Sequence, residues 1–492
     1  MLTLKKSMNS IKKTAEQEQV IADNSQTLVV NAFAGTGKTT TLIEYAKERP
    51  KDSILYLAFN RAVKDDAQKK FPSNVRCVTT HGLAYRDFGV IYKDKLGQPK
   101  PASVAKMFKC NYLVANAACD TVTNFLCSPD SKLEADKHLS SAGLSGNSAD
   151  IAFYTAKNLW DKMQDLSNPY VRMPHDGYLK LYQLSNPKIN SNIIMIDEAQ
   201  DSNMMVIDFI SKQQGKKIYV GDENQSIYGF RKAVDALNKV SADNKMYLTS
   251  SFRFGSGIAS LATLLLRQWK GEKRDISGLG RNKTTFNVNE NNPHAVLART
   301  NSGLFDAAIK ALRSGHPFGY IGGYEGYRLD MILDAWNLKK GFIQQITDPT
   351  ILFFKSYPEL EAYADTVDDK ELKMLIRVID KYTENIPDLI NQLKTKSVKN
   401  LSNKEIILTT AHKAKGMEFD SVVLLDDYTD LKTQVNKKGK EEGPTTEDIN
   451  ILYVAATRAI SNLKMNEKTV NWLLDLDMLN TVQKGEKIGQ IK

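Results

Sequence analysis

The stretch at residues 29–40 constrains the fold of this chain more than any other part of it. An apolar run is followed by a loop of small residues and then by Lys38 and Thr39. This order predicts a buried strand, a tight turn with converging N–H groups, and a helix that begins near Gly37. In such a phosphate-binding loop, the lysine reaches the β- and γ-phosphates and the hydroxyl of Thr39 holds Mg²⁺. The loop departs from the usual pattern at its first glycine, which is Ala32 here.

Composition limits the classes of protein to which the chain can belong. Its 492 residues suffice for about three or four domains, and its hydrophobic and charged contents of 42% and 25% are typical of soluble globular proteins. The net charge of +10 favours a polyanionic partner such as nucleic acid, although a generally basic surface has the same composition. The N-terminus lacks the apolar core of a signal peptide, and no apolar run is long enough to span a membrane. These features predict a cytoplasmic protein, or a nuclear one in a eukaryote, with no membrane partner.

Apolar runs recur in the first half of the chain and alternate with helical patterns. The runs lie at 53–59, 75–78, 192–196, 217–222 and 246–249. This alternation predicts a doubly wound α/β sheet, in which ligands bind beyond the carboxyl ends of the strands. Phe59, Asn60, Thr80 and His81 fall at such strand ends, and a row of aromatic and polar groups there suits a single strand of nucleic acid. A lone phenylalanine at such a position belongs more often to the core.

Two carboxylates and two glutamines extend the phosphate-binding pattern. Asp197 and Glu198 follow four apolar residues, an order that places the aspartate near Mg²⁺ and the glutamate near the attacking water. A solvated strand edge is the alternative interpretation. Gln225 follows the next strand, where it could sense the γ-phosphate. Gln17 either closes a helix cap with Thr14 or reads adenine through its amide.

The rest of the chain predicts a second α/β unit and two helical insertions. Strand patterns resume at 295–301, 404–410 and 422–425, with a Lys-rich loop at 431–443 and a helix at 447–460. The alternation stops in between, where the chain reads as mostly helical. We therefore predict one α/β domain from residues 1–84 and 175–250, and another from 251–324 and 401–492. The insertions are 85–174 and a shorter one at 325–400.

Eight or more motifs now stand in a specific order. They are AGTGKTT at 34–40, AFNRA at 58–62, TTHGLA at 79–84, DEAQD at 197–201, GDENQSIYGFR at 221–231, SFRF at 251–254, TAHKAKGMEF at 410–419 and YVAATRA at 453–459. Across nearly its whole length the chain resembles the UvrD/Rep-like helicases of superfamily 1A. DEAQD, HDGYLKLYQL at 175–184 and NILYVAATRA at 450–459 are most similar to the F-box DNA helicase branch. We expect no F-box before Gln17, and Asn450 replaces the arginine common in the bacterial enzymes.

The resemblance implies a fold and a nucleotide site. The fold is α/β, with two RecA-like domains named 1A and 2A, parallel sheets flanked by helices, and the helical insertions 1B and 2B. ATP lies between the two domains, and Thr39 and Asp197 hold Mg²⁺. The implied catalytic residues are Glu198 as the base with Lys38, Gln225, Arg253 and Arg458. The implied ATP-binding residues are Gln17, Ala34, Gly35, Thr36, Gly37, Lys38, Thr39, Thr40, Phe252, Arg253, Glu418 and Arg458.

The resemblance also implies a DNA path and an activity. The residues implied to bind DNA are Phe59, Asn60, Arg61, Thr80, His81, Tyr228, Phe230, Arg299, Asn301 and His412. The implied activity is ATP-dependent 3′–5′ translocation on single-stranded DNA and DNA unwinding, in repair, recombination or replication. The expected partners are single-stranded DNA and single-strand/duplex junctions, with the protein a monomer or weak oligomer and any protein partner unknown. The alternative is a motor that strips proteins from DNA, or signals to a partner, with little unwinding.

Overall fold

Two parallel β-sheets organise the computed structural model, which describes residues 13–140, 143–144, 146–229, 236–366, 369–402, 405–435 and 441–488. The first sheet has six strands in the order β3-β2-β4-β5-β1-β6. Its strands are β1 (Thr27–Ala32), β2 (Ile54–Ala58), β3 (Val75–Thr79), β4 (Ile193–Ile196), β5 (Lys216–Gly221) and β6 (Asn244–Leu248). Helices cover both faces, so the central strands read as continuous apolar runs.

The helices around the first sheet follow the predicted alternation up to β3. The chain then forms a helical segment before it returns to the sheet through α9 and β4. In this segment α6 packs against α8. The helices are α1 (Ala15–Ala22), α2 (Lys38–Lys47), α3 (Arg61–Lys70), α4 (Thr80–Tyr85), α5 (Pro101–Phe108), α6 (Tyr112–Cys127), α7 (Ala135–His138), α8 (Ser148–Gln164), α9 (His175–Leu184), α10 (Met204–Ser211) and α11 (Ala236–Lys239).

The second sheet has five parallel strands in the order β10-β11-β9-β12-β15. Two short pairs accompany it, a parallel one that joins β7 to β8 and an antiparallel one that joins β13 to β14. The strands of this half are β7 (Ser250–Ser251), β8 (Ser277–Gly278), β9 (Ala295–Ala298), β10 (Phe318–Tyr320), β11 (Ile406–Thr410), β12 (Phe419–Leu424), β13 (Gln434–Val435), β14 (Glu441–Glu442) and β15 (Ala459–Lys464).

Helices of the second half pack on its sheet or form the segment between β10 and β11. They are α12 (Ser256–Lys270), α13 (Asn301–Ser314), α14 (Leu329–Lys340), α15 (Pro349–Leu352), α16 (Tyr357–Thr366), α17 (Lys370–Tyr382), α18 (Ile386–Lys396), α19 (Ala411–Ala414), α20 (Thr446–Ala456), α21 (Glu467–Asp475) and α22 (Leu479–Lys484). The predicted fold class, parallel sheets flanked by helices, is therefore confirmed. Among the described residues, no helix has the length and apolar character needed to cross a bilayer.

The predicted end of the last motif helix was wrong, and the strand that follows this helix was not predicted. The predicted helix at 447–460 ends at Ala456, and Ile460 lies in β15, an edge strand of the second sheet. Only Ala459 and Leu463 of that strand are deeply buried, so its half-polar pattern does not form an apolar run. The Lys-rich segment predicted as a loop contains the β13–β14 pair, and the residues between those strands lie outside the described part of the chain.

Candidate active site

The phosphate-binding loop lies between β1 and α2, where the chain turns sharply. Gly35 and Gly37 both have left-handed backbone angles, with φ of +76° and +79°. A Cβ atom at Gly35 would lie 2.5 Å from the Ser251 hydroxyl and 2.7 Å from Cβ of Arg253, so only glycine fits there. Ala32, in place of the usual first glycine, is fully buried at the end of β1. The loop therefore contacts the segment that leads into the second sheet.

Lys38 and the two motif carboxylates meet at the start of α2. The Lys38 Nζ atom lies 3.4 Å from Glu198 Oε1, and the Thr39 hydroxyl lies 3.4 Å from Asp197 Oδ2. Burial opposes the charged form of Lys38, but Glu198, Asp222 and Asp197 outweigh it and raise the lysine pKa. Burial also opposes ionisation of Glu198, yet Lys38 and Lys415 lower its pKa to about 2.

Asp197 and Glu198 differ in backbone and in electrostatic surroundings. The Tyr56 hydroxyl donates a hydrogen bond to Asp197, while burial and the neighbouring Glu198 charge raise the Asp197 pKa. Glu198 has a φ of +52°, a left-handed conformation that is strained for a residue with a side chain. Such strain is found most often at functional sites, where surrounding structure holds it in place.

Two arginines from the second half reach the same place. Arg458 is only 1% exposed and donates hydrogen bonds to the carbonyls of Val454 (2.9 Å) and Met417 (3.2 Å) and to Gln225 Oε1 (3.2 Å). Burial lowers the pKa of Arg458 to about 9. Its side chain therefore links the second half to the predicted γ-phosphate sensor of the first.

Arg253 makes a separate pair of contacts across the second half. Its Nε donates to Glu418 Oε2 at 3.0 Å, and its Nη1 donates to the Thr457 carbonyl at 3.0 Å. Glu418, which the resemblance assigns to the ribose, is thus an ion-pair partner of Arg253 in this structure. Its contact with ribose stays a prediction.

Gln17, Gly37 and Phe252 come together at the other end of the loop. A Cβ atom at Gly37 would lie 3.0 Å from Gln17 Nε2 and 3.9 Å from the Phe252 ring. Gln17 Oε1 accepts the Thr14 N–H at 3.1 Å, while Gln17 Nε2 donates to the Thr36 carbonyl at 3.2 Å. The helix cap, which was the simpler interpretation of Gln17, is therefore present. Adenine recognition by this group stays a prediction.

These groups border one cleft of about 790 Å³ between the two sheets. Most of the predicted ATP-binding residues line it, but Gln17 and Ala34 do not. The Ala34 N–H instead donates to the Tyr453 hydroxyl at 3.0 Å. The residues named from the sequence that line the cleft are Gly35, Thr36, Gly37, Lys38, Thr39, Thr40, Asp197, Glu198, Gln225, Phe252, Arg253, Glu418 and Arg458.

A second, larger space of about 1070 Å³ lies between the edge strand β3 and the helical segment that follows it. We call it the strand groove, and Phe59, Asn60, Arg61 and His81 line it. Three of these have protein partners as well. Asn60 caps α3 through the Val63 N–H, Arg61 lies 3.8 Å from Asp65, and His81 lies 3.0 Å from Asp176.

Tyr228 connects the strand groove to the second half of the chain. Its ring stacks on Phe59 with centroids 5.6 Å apart and an angle of 17°. Its hydroxyl donates to the His412 carbonyl at 3.2 Å, and His412 Nε2 lies 3.1 Å from the Ile227 carbonyl. Three predicted DNA-binding side chains are therefore contiguous.

For the other residues predicted to bind DNA, that role stays a prediction. Thr80 begins α4, and Asn301 begins α13 at the end of β9. Arg299 forms an ion pair with Asp448, which lies in the first turn of α20. Phe230 lies outside the described residues.

The comparisons with known proteins agree with this architecture. The UvrD/REP helicase N-terminal domain matches residues 162–245, and the UvrD-like helicase C-terminal domain matches residues 352–468. The chain contains the two domains of the UvrD-like helicases. Among curated relatives, F-box DNA helicase 1 of Gallus gallus is 32% identical over 501 residues, 94% of this chain and 50% of that protein. F-box DNA helicase protein 1 of Schizosaccharomyces pombe is 31% identical over 509 residues, 92% of this chain and 57% of that protein.

The resemblance to UvrD/Rep-like helicases and to their F-box branch is thereby confirmed. The chain spans about half the length of the curated relatives it matches, at 50% and 57%. Both matched regions contribute to the cleft, since Glu198 and Gln225 fall within the first and Glu418 and Arg458 within the second.

Sequence reasoning assigned no role to Arg281, Asn282 or Tyr453. Arg281 and Asn282 line the cleft but belong to no motif that the sequence singled out. Tyr453 lies within the last motif, yet nothing in the sequence shows that its hydroxyl reaches the phosphate-binding loop. The signal for Arg281 is the pair Gly278 and Gly280 just before it, where close backbone approach leaves no room for a side chain.

Proposed function

We propose that this chain is an ATP-driven motor that moves 3′ to 5′ on single-stranded DNA and unwinds duplex DNA. One observation carries the proposal: a single cleft unites Lys38 and Glu198 of the first half with Arg253 and Arg458 of the second. Hydrolysis in a cleft of this kind changes the contact between the two halves, which both border the DNA path through Tyr228. The two curated relatives are named DNA helicases, which supports the same activity here.

The residues of the cleft divide the chemistry between them. Glu198, whose pKa of about 2 leaves it ionised at neutral pH, accepts the proton of the attacking water. Water oxygen attacks the γ-phosphorus, the bond to the bridging oxygen breaks, and ADP leaves with the bonding electrons. Lys38, Arg253 and Arg458 stabilise the charge on the transferred group, a role worth on the order of 10³–10⁵ in rate for one well-placed arginine.

Thr39 and Asp197 would hold Mg²⁺ at this site. Their hydroxyl and carboxylate oxygens lie 3.4 Å apart, and oxygen donors of this type are the ligands that Mg²⁺ prefers. When bound, Mg²⁺ neutralises part of the phosphate charge. Gln17 and Phe252 hold the adenine. Glu418 leaves its ion pair with Arg253 when the nucleotide binds and then contacts the ribose.

The proposal includes the division into domains and the nucleic-acid partner. Domain 1A is residues 1–84 with 175–250 and domain 2A is 251–324 with 401–492, with insertions 1B at 85–174 and 2B at 325–400. Single-stranded DNA and its junctions with duplex bind along the strand groove and past Tyr228. Stacking on Phe59 and Tyr228 tolerates any base, as a translocating motor requires.

A strand-displacement assay tests this function directly. Duplexes with a 3′ tail, a 5′ tail or no tail are incubated with the protein, with and without ATP, and ATP hydrolysis is measured in parallel. We expect ATP-dependent release from the 3′-tailed duplex and hydrolysis stimulated by single-stranded DNA. Equal release from 5′-tailed duplex contradicts the polarity. Stimulated hydrolysis without any release favours the alternative motor, which strips proteins or signals to a partner.

A further inference from the structure

Four buried side chains close a hydrogen-bonded ring beside the nucleotide cleft. The Tyr453 hydroxyl donates to Asp222 Oδ2 at 3.0 Å, and Gln225 Nε2 donates to the same oxygen at 2.8 Å. Gln225 Oε1 in turn accepts Arg458 Nη2 at 3.2 Å. Tyr453 lies in the last turn of α20 and Arg458 just after that helix, which joins the two ends. We call Tyr453, Asp222, Gln225 and Arg458 the buried ring.

The same tyrosine hydroxyl also contacts the phosphate-binding loop. It accepts the N–H of Ala34 at 3.0 Å, immediately before Gly35, the first of the closely packed glycines at 35 and 37. A phenol has one hydrogen to donate and lone pairs to accept with, so Asp222 and Ala34 use its donor and one acceptor. One hydroxyl therefore connects the phosphate-binding loop, the segment after β5 and the helix α20 of the second half.

The ring leaves Gln225 little freedom to turn. Its amide nitrogen is held by Asp222 and its amide oxygen by Arg458, and all four ring residues are at most 4% exposed. Asp222 is itself oriented by Tyr453 and by the Asn224 N–H, which donates to its other oxygen at 3.0 Å. In a buried network each group orients the next, and a missing partner leaves a polar atom unsatisfied. Loss of the tyrosine hydroxyl therefore affects Gln225 through Asp222, without direct contact.

We propose that Tyr453 is a positioning residue, which fixes Gln225 and Arg458 relative to the phosphate-binding loop. The inference rests on the proposed function, because it concerns how Gln225 and Arg458, the two residues assigned to the γ-phosphate, are held. It assigns a distinct task to the hydroxyl. When α20 moves with the second sheet, the hydroxyl transmits that movement to the phosphate-binding loop and to Gln225 and Arg458 together. The adenine end and Lys38 lie outside the ring.

Replacement of Tyr453 by phenylalanine tests the role of the hydroxyl. We expect kcat for DNA-stimulated ATP hydrolysis to fall about 10- to 100-fold, because misplacement of reacting groups by about an ångström costs that much. The KM for ATP should change by less than about threefold, because Lys38 and the adenine end are untouched. Affinity for ADP, measured by titration with a fluorescent ADP analogue, should stay close to that of the wild-type chain.

Tyr428→Phe is the matched control. Tyr428 is likewise buried in the second half, and its hydroxyl donates to the Leu297 carbonyl at 3.2 Å, away from the cleft. Both variants lose one buried hydroxyl, but that of Tyr453 has two partners, one of them a carboxylate, so Tyr453→Phe should lower the melting temperature more. Only Tyr453→Phe should lose kcat. A normal kcat in Tyr453→Phe, or an equal loss of kcat in the two variants, overturns the proposal.

A double variant shows whether the tyrosine acts through Gln225. Gln225→Ala alone should lower kcat, and adding Tyr453→Phe to it should lower kcat by less than threefold more, since groups that act as a unit are not additive. Fully multiplicative losses overturn the proposal. Should Tyr453→Phe fail to fold, Asp222→Asn breaks the same ring and must show the same fall in kcat. A wild-type chain without ATP hydrolysis refutes the proposed function itself, whereas an active wild type with equally active variants refutes only this inference.

Discussion

In the nucleotide cleft Lys38 and Arg253 are paired with carboxylates from distant parts of the chain, whereas in the strand groove Arg61 faces open space. Lys38 pairs with Glu198, and Arg253 pairs with Glu418. In the strand groove the Arg61 side chain is 92% exposed and lies 3.8 Å from its own-helix neighbour Asp65. Long-range ion pairs therefore hold these two cations of the cleft, whereas the ion pair of Arg61 in the groove is local.

The difference follows from what each region is proposed to bind. A reacting phosphate needs donors fixed in advance at defined positions, because a charge that moves during the reaction loses its catalytic value. A strand of any sequence needs flat rings and exposed cations that tolerate different bases. The comparison predicts that substitutions in the cleft act mainly on kcat and on the folded state, and those in the groove on DNA affinity.

The largest expected effect is on hydrolysis, from Glu198→Gln. The amide cannot accept the proton of the attacking water, so kcat should fall at least about 100-fold, the usual contribution of a general base. Binding of ATP should persist, because Lys38 and the loop amides remain. Steady-state ATPase rates and nucleotide titration measure the two quantities. Near-normal turnover would show that Glu198 is not the general base. The contrast between the cleft and the strand groove would then lose its main support.

The next effect is on stability, from Lys415→Met. The Lys415 ammonium forms an ion pair with Asp201, and both side chains are buried. Its removal leaves a buried carboxylate without a counter-ion, a change that costs about 3–5 kcal/mol of unfolding free energy. Burial already raises the Asp201 pKa to about 6, well above the ordinary value of 3.8.

The pH dependence of that loss has a definite sign. A carboxyl with a raised pKa binds more protons in the folded state, so its contribution to stability is present at low pH and lost as pH rises through its folded pKa. The variant should therefore match the wild type near pH 5 and be clearly less stable above pH 7. Lys413→Met is the control, since the Lys413 Nζ donates to the Gly326 carbonyl and not to a carboxylate. Thermal melting across this pH range measures both, and a pH-independent difference would contradict the ion-pair interpretation.

The same contrast explains what the sequence could predict. Most cleft residues lie just after apolar strands, and parallel strands bring their carboxyl ends to one edge, so Lys38, Asp197 and Gln225 were predictable from order alone. Contacts that join distant segments were not. Tyr453 and Ala34 meet only because α20 packs across the loop, and no local pattern reports that distance.

Arg299 shows the same limit in the opposite direction. The resemblance implies a DNA contact for Arg299, which stays a prediction; the structure pairs its guanidinium with Asp448, the residue that also closes the capping box at the start of α20. The spacing of Thr445 and Asp448 predicts the cap, yet not the arginine that reaches the same carboxylate. Strand ends thus indicate a functional edge, while the partner of each side chain depends on the packing of the second half.

A smaller effect is expected in the strand groove, from Phe59→Ala. Base stacking contributes roughly 1–3 kcal/mol per base, which is about a 5- to 150-fold loss of affinity for single-stranded DNA. Because the ring is only half-buried, the melting temperature should fall less than it does for a phenylalanine in the core. Phe88→Ala is the control, since Phe88 is also half-buried and its ring packs edge-on against Tyr182. Titrations at one fixed salt concentration are required, because the phosphate contribution to affinity varies steeply with salt. If the two variants lose melting temperature alike and keep DNA affinity, Phe59 is a packing residue.

Arg281 sharpens the comparison, because it is an exposed cation at the edge of the cleft in which Lys38 and Arg253 form ion pairs. Backbone hydrogen bonds tie the segment before it to the Ser251–Phe254 strip, from Leu279 N–H to Ser251 at 2.7 Å and from Gly280 N–H to Phe254 at 2.9 Å. A Cβ atom at Gly280 would lie 2.5 Å from the Phe254 carbonyl carbon, so this close approach requires glycine. These contacts hold the segment that carries Arg281 beside Phe252 and Arg253.

The smallest effect is expected from Arg281→Ala. Gln225 and Arg458, the two residues assigned to the γ-phosphate, are buried. We therefore expect the exposed side chain of Arg281 to reach the α- and β-phosphates, which ATP and ADP share. An exposed ion pair is worth about 1 kcal/mol, so the KM for ATP and the Kd for ADP should both rise about fivefold with kcat unchanged. Lys283→Ala removes the same charge from an exposed position two residues away that does not line the cleft, and it should change neither constant.

Equal shifts in the two variants would mean that general surface charge is responsible. A loss of kcat would mean that Arg281 reaches the reacting phosphate, and the cleft would then have an exposed catalytic cation, as the groove has exposed binding ones.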